Sequence, residues 1–248
     1  MKTALLVVSF GTTHPDTLED TIAATENTLA AAFPQYPIYR AFTSAIVRRR
    51  LKSKYGLHAD SVEEALARIG AEGFSQVLIQ PTMVIPGEEY DRLLACVQAA
   101  AGSLSTRVGR PLLCGGADLD AIIGILRDAF PVDDDTVLLF MGHGTKHGAS
   151  GIYTRLARKM EALSGGAMTA CTMDAFDAAL ETLSAGSRRK VRLVPLLFTA
   201  GTHAKEDMAG RLRATLEAAG FTVEPIFQSL GQLEAIREMY VRRVAEIL

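Results

Sequence analysis

The chain repeats itself, and an internal repeat restricts the fold to two copies of one architecture. Val77, Gln80-Pro81, Gly87, Glu89 and Pro111 align with Val191, Val194-Pro195, Gly201, His203 and Pro225 at a constant offset of 114 residues, without a gap. The first copy reads VLIQPTMVIPGEEY and the second VRLVPLLFTAGTHA. In this register Glu89 falls on His203. An earlier stretch repeats as well. LLVVSFGT, ending at Thr12, lies over VLLFMGHGT, ending at Thr145, so Phe10 falls on His143.

Apolar β-rich runs alternate with longer segments of helical period. Residues 4–10 form a near-continuous apolar run, as expected of a parallel strand buried on both faces. Residues 17–33 carry Leu18, Ile22, Thr25, Leu29 and Phe33 at helical spacing, closed by Pro34. Further strands are predicted at 37–42, 76–85 and 110–114, and helices at 61–73, 88–101 and 117–130. Ser61 followed by Glu64 is a capping-box pattern. The second half repeats the order, with strands at 136–141, 167–172, 190–198 and 222–227. Its helices are predicted at 151–163, 174–185, 205–219 and 233–248. Such alternation implies βαβ units and parallel sheets. The predicted fold class is α/β: two similar Rossmann-like three-layer domains, each with a parallel four-stranded sheet, related by a pseudo-two-fold. Pro131 and the acidic Asp133–Asp135 mark a seam, giving halves 1–131 and 132–248. The last helix is free to pack back on the first half.

Composition narrows the function. With 248 residues, 48% hydrophobic and 22% charged, the chain has the profile of a folded soluble protein. A formal net charge of -2 argues against a nucleic-acid binder. No apolar run reaches the roughly 18 residues of a bilayer span, so no membrane role is expected. The N-terminal MKTALLVVSFGTTH reads as a first strand, because its apolar stretch is short and lacks a small-x-small cleavage site. Cys96, Cys114 and Cys171 are odd in number, scattered and without CxxC, which suits a reducing cytoplasm.

In open parallel sheets, ligands bind beyond the carboxyl ends of the strands. Phe10-Gly11, Gly87-Glu89, His143-Gly144 and Gly201-His203 all fall there, so four segments are expected to face one cleft. His143 sits between two glycines, which leave its imidazole uncovered. His203 sits at a strand-to-helix turn, where the positive end of the helix dipole favours the neutral ring that a metal ligand or proton acceptor must be. Glu89 occupies the matching turn, where the same dipole stabilises an anion; Glu88 competes for its role. Two His and one Glu suit a borderline divalent ion such as cobalt, nickel, iron or zinc with open positions, rather than a closed structural site. His147 is a second candidate imidazole. The basic stretch Arg40, Arg48, Arg49, Arg50, Lys52 and Lys54 reads either as a clamp for an acidic ligand or as a solvated helix face. HEXXH, GxGxxG, GxxxxGK[ST] and GxSxG are all absent, so neither a nucleotide nor a hydrolase triad is expected.

ALLVVSFGT, RAFTS at 40–44, GEEY at 87–90, FMGHG at 140–144 and AGTHAKEDM at 200–208 together resemble the anaerobic-type cobalt chelatases of cobalamin biosynthesis, the sirohydrochlorin cobaltochelatases. The resemblance spans the whole chain and implies a class II chelatase fold with a tetrapyrrole cleft. It implies Co²⁺ insertion into sirohydrochlorin or precorrin-2 without ATP, with His143, His203 and Glu89 as metal ligands and catalytic groups. Phe10, Gly11, Thr12, Gly87 and Gly144 would then line the macrocycle, with Arg48 and Arg49 near its rim acids. Fe²⁺ and Ni²⁺ stand as alternative ions, since the ligand set accepts all three. A non-catalytic metal or tetrapyrrole carrier is the competing reading from another class. Self-association is left open.

Overall fold

The computed structural model describes residues 2–201 and 206–248. Two four-stranded sheets, all parallel, are built in the same order. The first contains β1 (Thr3–Ser9), β2 (Ile38–Phe42), β3 (Gln76–Pro81) and β4 (Ser105–Val108), in the order β2-β1-β3-β4. Its helices are α1 (15–32, with a π turn over Leu18–Ala23), α2 (Ala45–Tyr55), α3 (Val62–Ala71) and α4 (Glu88–Ala100). After α5 (Gly116–Ala129), the second sheet contains β5 (Thr136–Gly142), β6 (Met168–Thr172), β7 (Lys190–Pro195) and β8 (Thr222–Pro225), in the order β6-β5-β7-β8. Its helices are α6 (Gly151–Ser164), α7 (Phe176–Ala185) and α8 (206–218, with a π segment over Met208–Leu212); α9 (Glu234–Ala245) closes the chain.

Both faces of each sheet are covered, which is why the central strands read as unbroken apolar runs. Leu6 and Val8 of β1 pack with Val77 and Ile79 against Leu66 and Ile69 of α3 and Leu93 and Val97 of α4. Leu5, Val7 and Leu78 turn to the other face, against Leu29 of α1 and Val244 of α9. In the second sheet, Val137, Leu139, Val191 and Leu193 meet Phe176 and Leu183 of α7 and Leu212 and Leu216 of α8. Each such side chain contributes about 1.5–3 kcal/mol by leaving water. Ser61 caps α3 through a complete capping box with Glu64.

Two expectations are corrected. The chain divides into unit 1, Met1–Cys114 with Glu234–Leu248, and unit 2, Gly115–Leu233. The break thus falls before α5, not at Pro131. The reason is packing. Asp120 of α5 pairs with Lys159 of α6 at 2.6 Å, and Phe130 just beyond α5 meets Phe140 of β5 edge-on at 6.0 Å. Helix α9 crosses the other way, to unit 1, where Arg243 donates to Leu112 O and Tyr240 donates to Thr82 O. Each half of the chain therefore gives its last helix to the other unit.

The second correction concerns the fourth strand and the repeat. β4 is Ser105–Val108 rather than 110–114. Strand register keeps the 114-residue offset at the third strands, where Gln76 matches Lys190 by pairing to Thr3 and Thr136. At the fourth strands Ser105 matches Thr222, an offset of 117, so Pro225 answers to Val108 and not to Pro111. The sheet-facing pairs Leu93/Val97 and Leu212/Leu216 stand 119 apart. The third-strand register ends at Pro195, and His203 lies outside the described residues. Equivalence of Glu89 with His203 does not follow from the strands. Phe10 with His143 does, because Thr3 and Thr136 occupy matching registers at an offset of 133.

Tyr240 is fully buried, its hydroxyl donates to Thr82 O at 3.0 Å, and burial raises its pKa. Tyr240→Phe should cost about 1 kcal/mol in denaturant unfolding, the net worth of one such bond. An unchanged midpoint would show that the Tyr240 hydroxyl contributes nothing to holding α9.

Candidate metal-handling site at the strand ends

The central strands of both units end in the same turn. After β1 come Phe10, Gly11 and Thr12; after β5 come His143, Gly144 and Thr145. Gly11 and Gly144 have φ of 95° and 84°, in the left-handed region that favours glycine. A Cβ on Gly11 would lie 2.7 Å from the Phe42 ring; one on Gly144 would lie 2.6 Å from Asp174 Oδ1. Thr12 Oγ1 accepts from His14 N–H at 3.3 Å, and Thr145 Oγ1 accepts from His147 N–H at 3.1 Å. These side-chain-closed turns hold the residue before each glycine outward. Phe10 is 52% exposed, and His143 is exposed as well. One turn thus offers an apolar ring in unit 1 and an imidazole in unit 2.

His147 is tied into local structure: its Nδ1 accepts from Ala149 N–H at 3.1 Å, capping a short 3₁₀ turn. That bond leaves the ring proton of a neutral His147 on Nε2.

Asp174 is a residue that sequence reasoning passed over. It follows β6 and lies against Gly144, beside His143. Its carboxylate is exposed, and its pKa is held below the usual range, chiefly by the Thr172 hydroxyl and then by its own backbone N–H. The strand-end rule used for the other segments, applied to β6, would have found it.

In unit 1, Gly87 caps α4 without a side chain, and Glu88, Glu89 and Asp91 fill its first turn, where the helix dipole favours acids. Arg92 bridges both glutamates, at 2.9 Å to Glu89 Oε1 and 3.2 Å to Glu88 Oε2. Glu89 is the less exposed of the two. Exposed pairs of this kind are worth under about 1 kcal/mol, so an incoming ligand displaces Arg92 at small cost.

The basic stretch proves to be the outer face of α2, which Ser44 caps through its hydroxyl at 3.3 Å from Val47 N. Val47 and Leu51 turn inward and Arg49 and Arg50 face solvent, while Arg48 is half-buried and pairs with Glu64 at 3.3 Å. The Arg48 Nε atom and the Thr43 hydroxyl are buried with no hydrogen-bond partner among the described residues. Arg40 lies on β2 rather than α2 and donates to Glu26 through Nε and Nη2.

Two of the three thiols are poor donors. Burial pushes Cys171 up to about 12, and burial with Glu63 pushes Cys96 up to about 12, so neither offers a thiolate at neutral pH. Among the described residues, no three His, Cys, Asp or Glu side chains converge closely enough to hold a metal. His203 lies outside the described residues. None of the described helices is long and apolar enough to cross a membrane.

The fold is that of the chelatases. The sirohydrochlorin chelatase SirB of Bacillus subtilis subspecies spizizenii, solved in complex with cobalt, matches it with a TM-score of 0.68 at 16% identity, over 99% of this chain and 95% of that one. Sequence narrows the class. A family model described as cobalt chelatase (CbiK) matches residues 3–248, and the chain belongs to that family. A sirohydrochlorin cobaltochelatase of Salmonella typhimurium is 36% identical, over 100% of this chain and 97% of its own length. The sirohydrochlorin cobaltochelatase CbiKC of Nitratidesulfovibrio vulgaris is 32% identical, over 97% of this chain and 88% of its own.

The turn geometry is testable apart from chemistry. Gly144→Ala should lose about 1–3 kcal/mol in denaturant unfolding, from left-handed strain and contact with Asp174. Gly148→Ala, which meets open space, should change stability by under about 0.5 kcal/mol. Equal effects would remove the strain argument.

Proposed function

We propose that this protein inserts Co²⁺ into sirohydrochlorin, without ATP, in the anaerobic route to cobalamin. The reaction class rests on full-length kinship with the Salmonella typhimurium sirohydrochlorin cobaltochelatase. The ligand assignment rests on His143, whose imidazole the Gly144 turn leaves exposed at the end of a central strand. His143 and His203 take the aquated ion, Glu89 serves as the oxygen donor, and Asp174 stands beside the His143 turn as a further carboxylate.

Insertion exchanges one divalent ion for two pyrrole N–H protons. An imidazole released from the metal accepts one proton, and a carboxylate passes the other to solvent. Neutral imidazole suits both tasks, because a metal ligand must first be deprotonated. Phe10, at the register position that His143 holds in unit 2, offers an apolar surface for the macrocycle, with Gly11, Thr12, Gly87 and Gly144 lining the turns. Arg48 and Arg49 attract its peripheral carboxylates. Bending the macrocycle toward the incoming ion would cost roughly 1–5 kcal/mol, drawn from these remote contacts.

Nitrogen and oxygen donors accept cobalt, iron and nickel alike, so rates must choose the ion. Absorbance assays of sirohydrochlorin metalation with Co²⁺, Fe²⁺ and Ni²⁺ should show the fastest enzymatic rate with Co²⁺. His143→Ala and His203→Ala should each lower kcat by about 100-fold or more with far-UV circular dichroism unchanged, as expected for proton-transfer groups. Wild-type rates in both variants would refute the assignment. Binding of sirohydrochlorin without acceleration over buffer would make the protein a carrier.

A further inference from the structure

Unit 1 carries a charged groove along the free edge of β2, away from the strand ends. Its volume is about 480 Å³, and its walls come from α1, β2, α3 and the segment around His58. That segment is fixed to the sheet: Asp60 bridges Ala41 in parallel, and Phe42 N–H donates to Asp60 O at 2.9 Å. The Asp60 carboxylate accepts from Arg68 Nη2 at 2.6 Å and lies 2.9 Å from His58 Nε2. Arg40 grips both oxygens of Glu26, through Nε at 2.7 Å and through Nη2. The Arg68 guanidinium lies 5.0 Å over the Tyr39 ring, whose hydroxyl donates to Glu72.

Unspent hydrogen-bonding capacity decides what such a groove can hold. Each carboxylate oxygen of Glu26 and Asp60 already faces a donor, so a metal ion would have to displace an arginine. The capacity left over belongs to donors: Arg40 Nη1, Arg68 Nε and Nη1, and, in the protonated ring only, the second ring nitrogen of His58. The three side chains are 33%, 50% and 68% exposed, so these edges are reachable. Rigid guanidinium forks match the two oxygens of a carboxylate or phosphate. Nor is the groove a by-product of the duplication. Arg40 pairs with Val7 as Ala170 pairs with Phe140, and β6 thus has alanine where β2 has the arginine. Arg40 also stands two residues short of the β2 carboxyl end, roughly 7 Å away, so the groove is not the strand-end turn.

We infer that this groove is a binding site for an oxyanion, a carboxylate or phosphate group, held by Arg40 and Arg68, with His58 as third donor when its ring is protonated. The test uses the full chain, titrated by calorimetry with inorganic phosphate and, separately, with tricarballylate. Saturable binding of at least one probe is expected. Arg68→Gln and His58→Gln should each weaken it about tenfold, the loss of one charge-assisted pair. His58→Gln keeps an N–H for Asp60, so it tests the site even where Arg68→Gln destabilises the fold. Arg127→Gln, an exposed arginine on α5, should leave affinity unchanged. A phosphate-only response assigns a phosphate ligand, and a tricarballylate-only response a carboxylate. A raised KM for sirohydrochlorin in His58→Gln would identify that carboxylate as the rim of the macrocycle. No saturable binding of either probe, or equal binding in all three variants, overturns the site. Loss of metalation in His143→Ala leaves this inference untouched.

Discussion

The structure depends on how a buried parallel strand ends. β1 and β5 run apolar on both faces until pairing stops, and the chain must then turn without a side chain in the way. Gly11 and Gly144 make that turn with positive φ, against Phe42 and Asp174, where a Cβ would not fit. The turn aims the preceding residue at solvent. Because both units build the same turn, one substitution sets their chemistry apart: Phe10 in the first, His143 in the second. A shared backbone device with different side chains lets a duplicated fold present an exposed aromatic ring from one copy and an exposed imidazole from the other.

The exchange of final helices has a similar logic. Helix α9 completes the face of β1 and β3 that α1 covers only in part, and Val244 fills the core beside Leu5 and Leu78. Helix α5 lies in unit 2, beside α6. Unit 2 is one continuous stretch of chain, whereas unit 1 is completed by a helix encoded more than a hundred residues beyond its sheet.

Much of this was legible in the sequence. The α/β class and seven of the eight strands followed from apolar runs and helical period, and the capping box at Ser61 from two residues. The strand-end rule placed Phe10 and His143 just beyond β1 and β5, where the structure has them. Other features were not legible, for physical reasons. The return of the last helix to the first half was anticipated, but that α5 joins the second unit leaves no local mark, because Pro131 and three aspartates look like a boundary whichever sheet the preceding helix joins. The fourth strand was misplaced because Arg110–Cys114 is apolar but follows the short, half-exposed β4. The constant offset holds at the third strands and fails at the fourth, where it is 117, so the match of Pro111 with Pro225 was a coincidence of spacing. Asp174 carries no motif; only the fold brings its carboxylate against Gly144. The groove at Arg40 and Arg68 was likewise invisible, since its residues come from four separate segments.

On this account His143 and His203, both in the second half of the chain, take the ion before the macrocycle does. X-ray absorption at the cobalt edge, on protein loaded with one equivalent of Co²⁺ and no tetrapyrrole, tests that claim most directly. The account predicts multiple scattering from two imidazole rings with oxygen donors completing the shell, and one ring fewer in His143→Ala. A spectrum of oxygen donors alone, or one unchanged by that substitution, would contradict it.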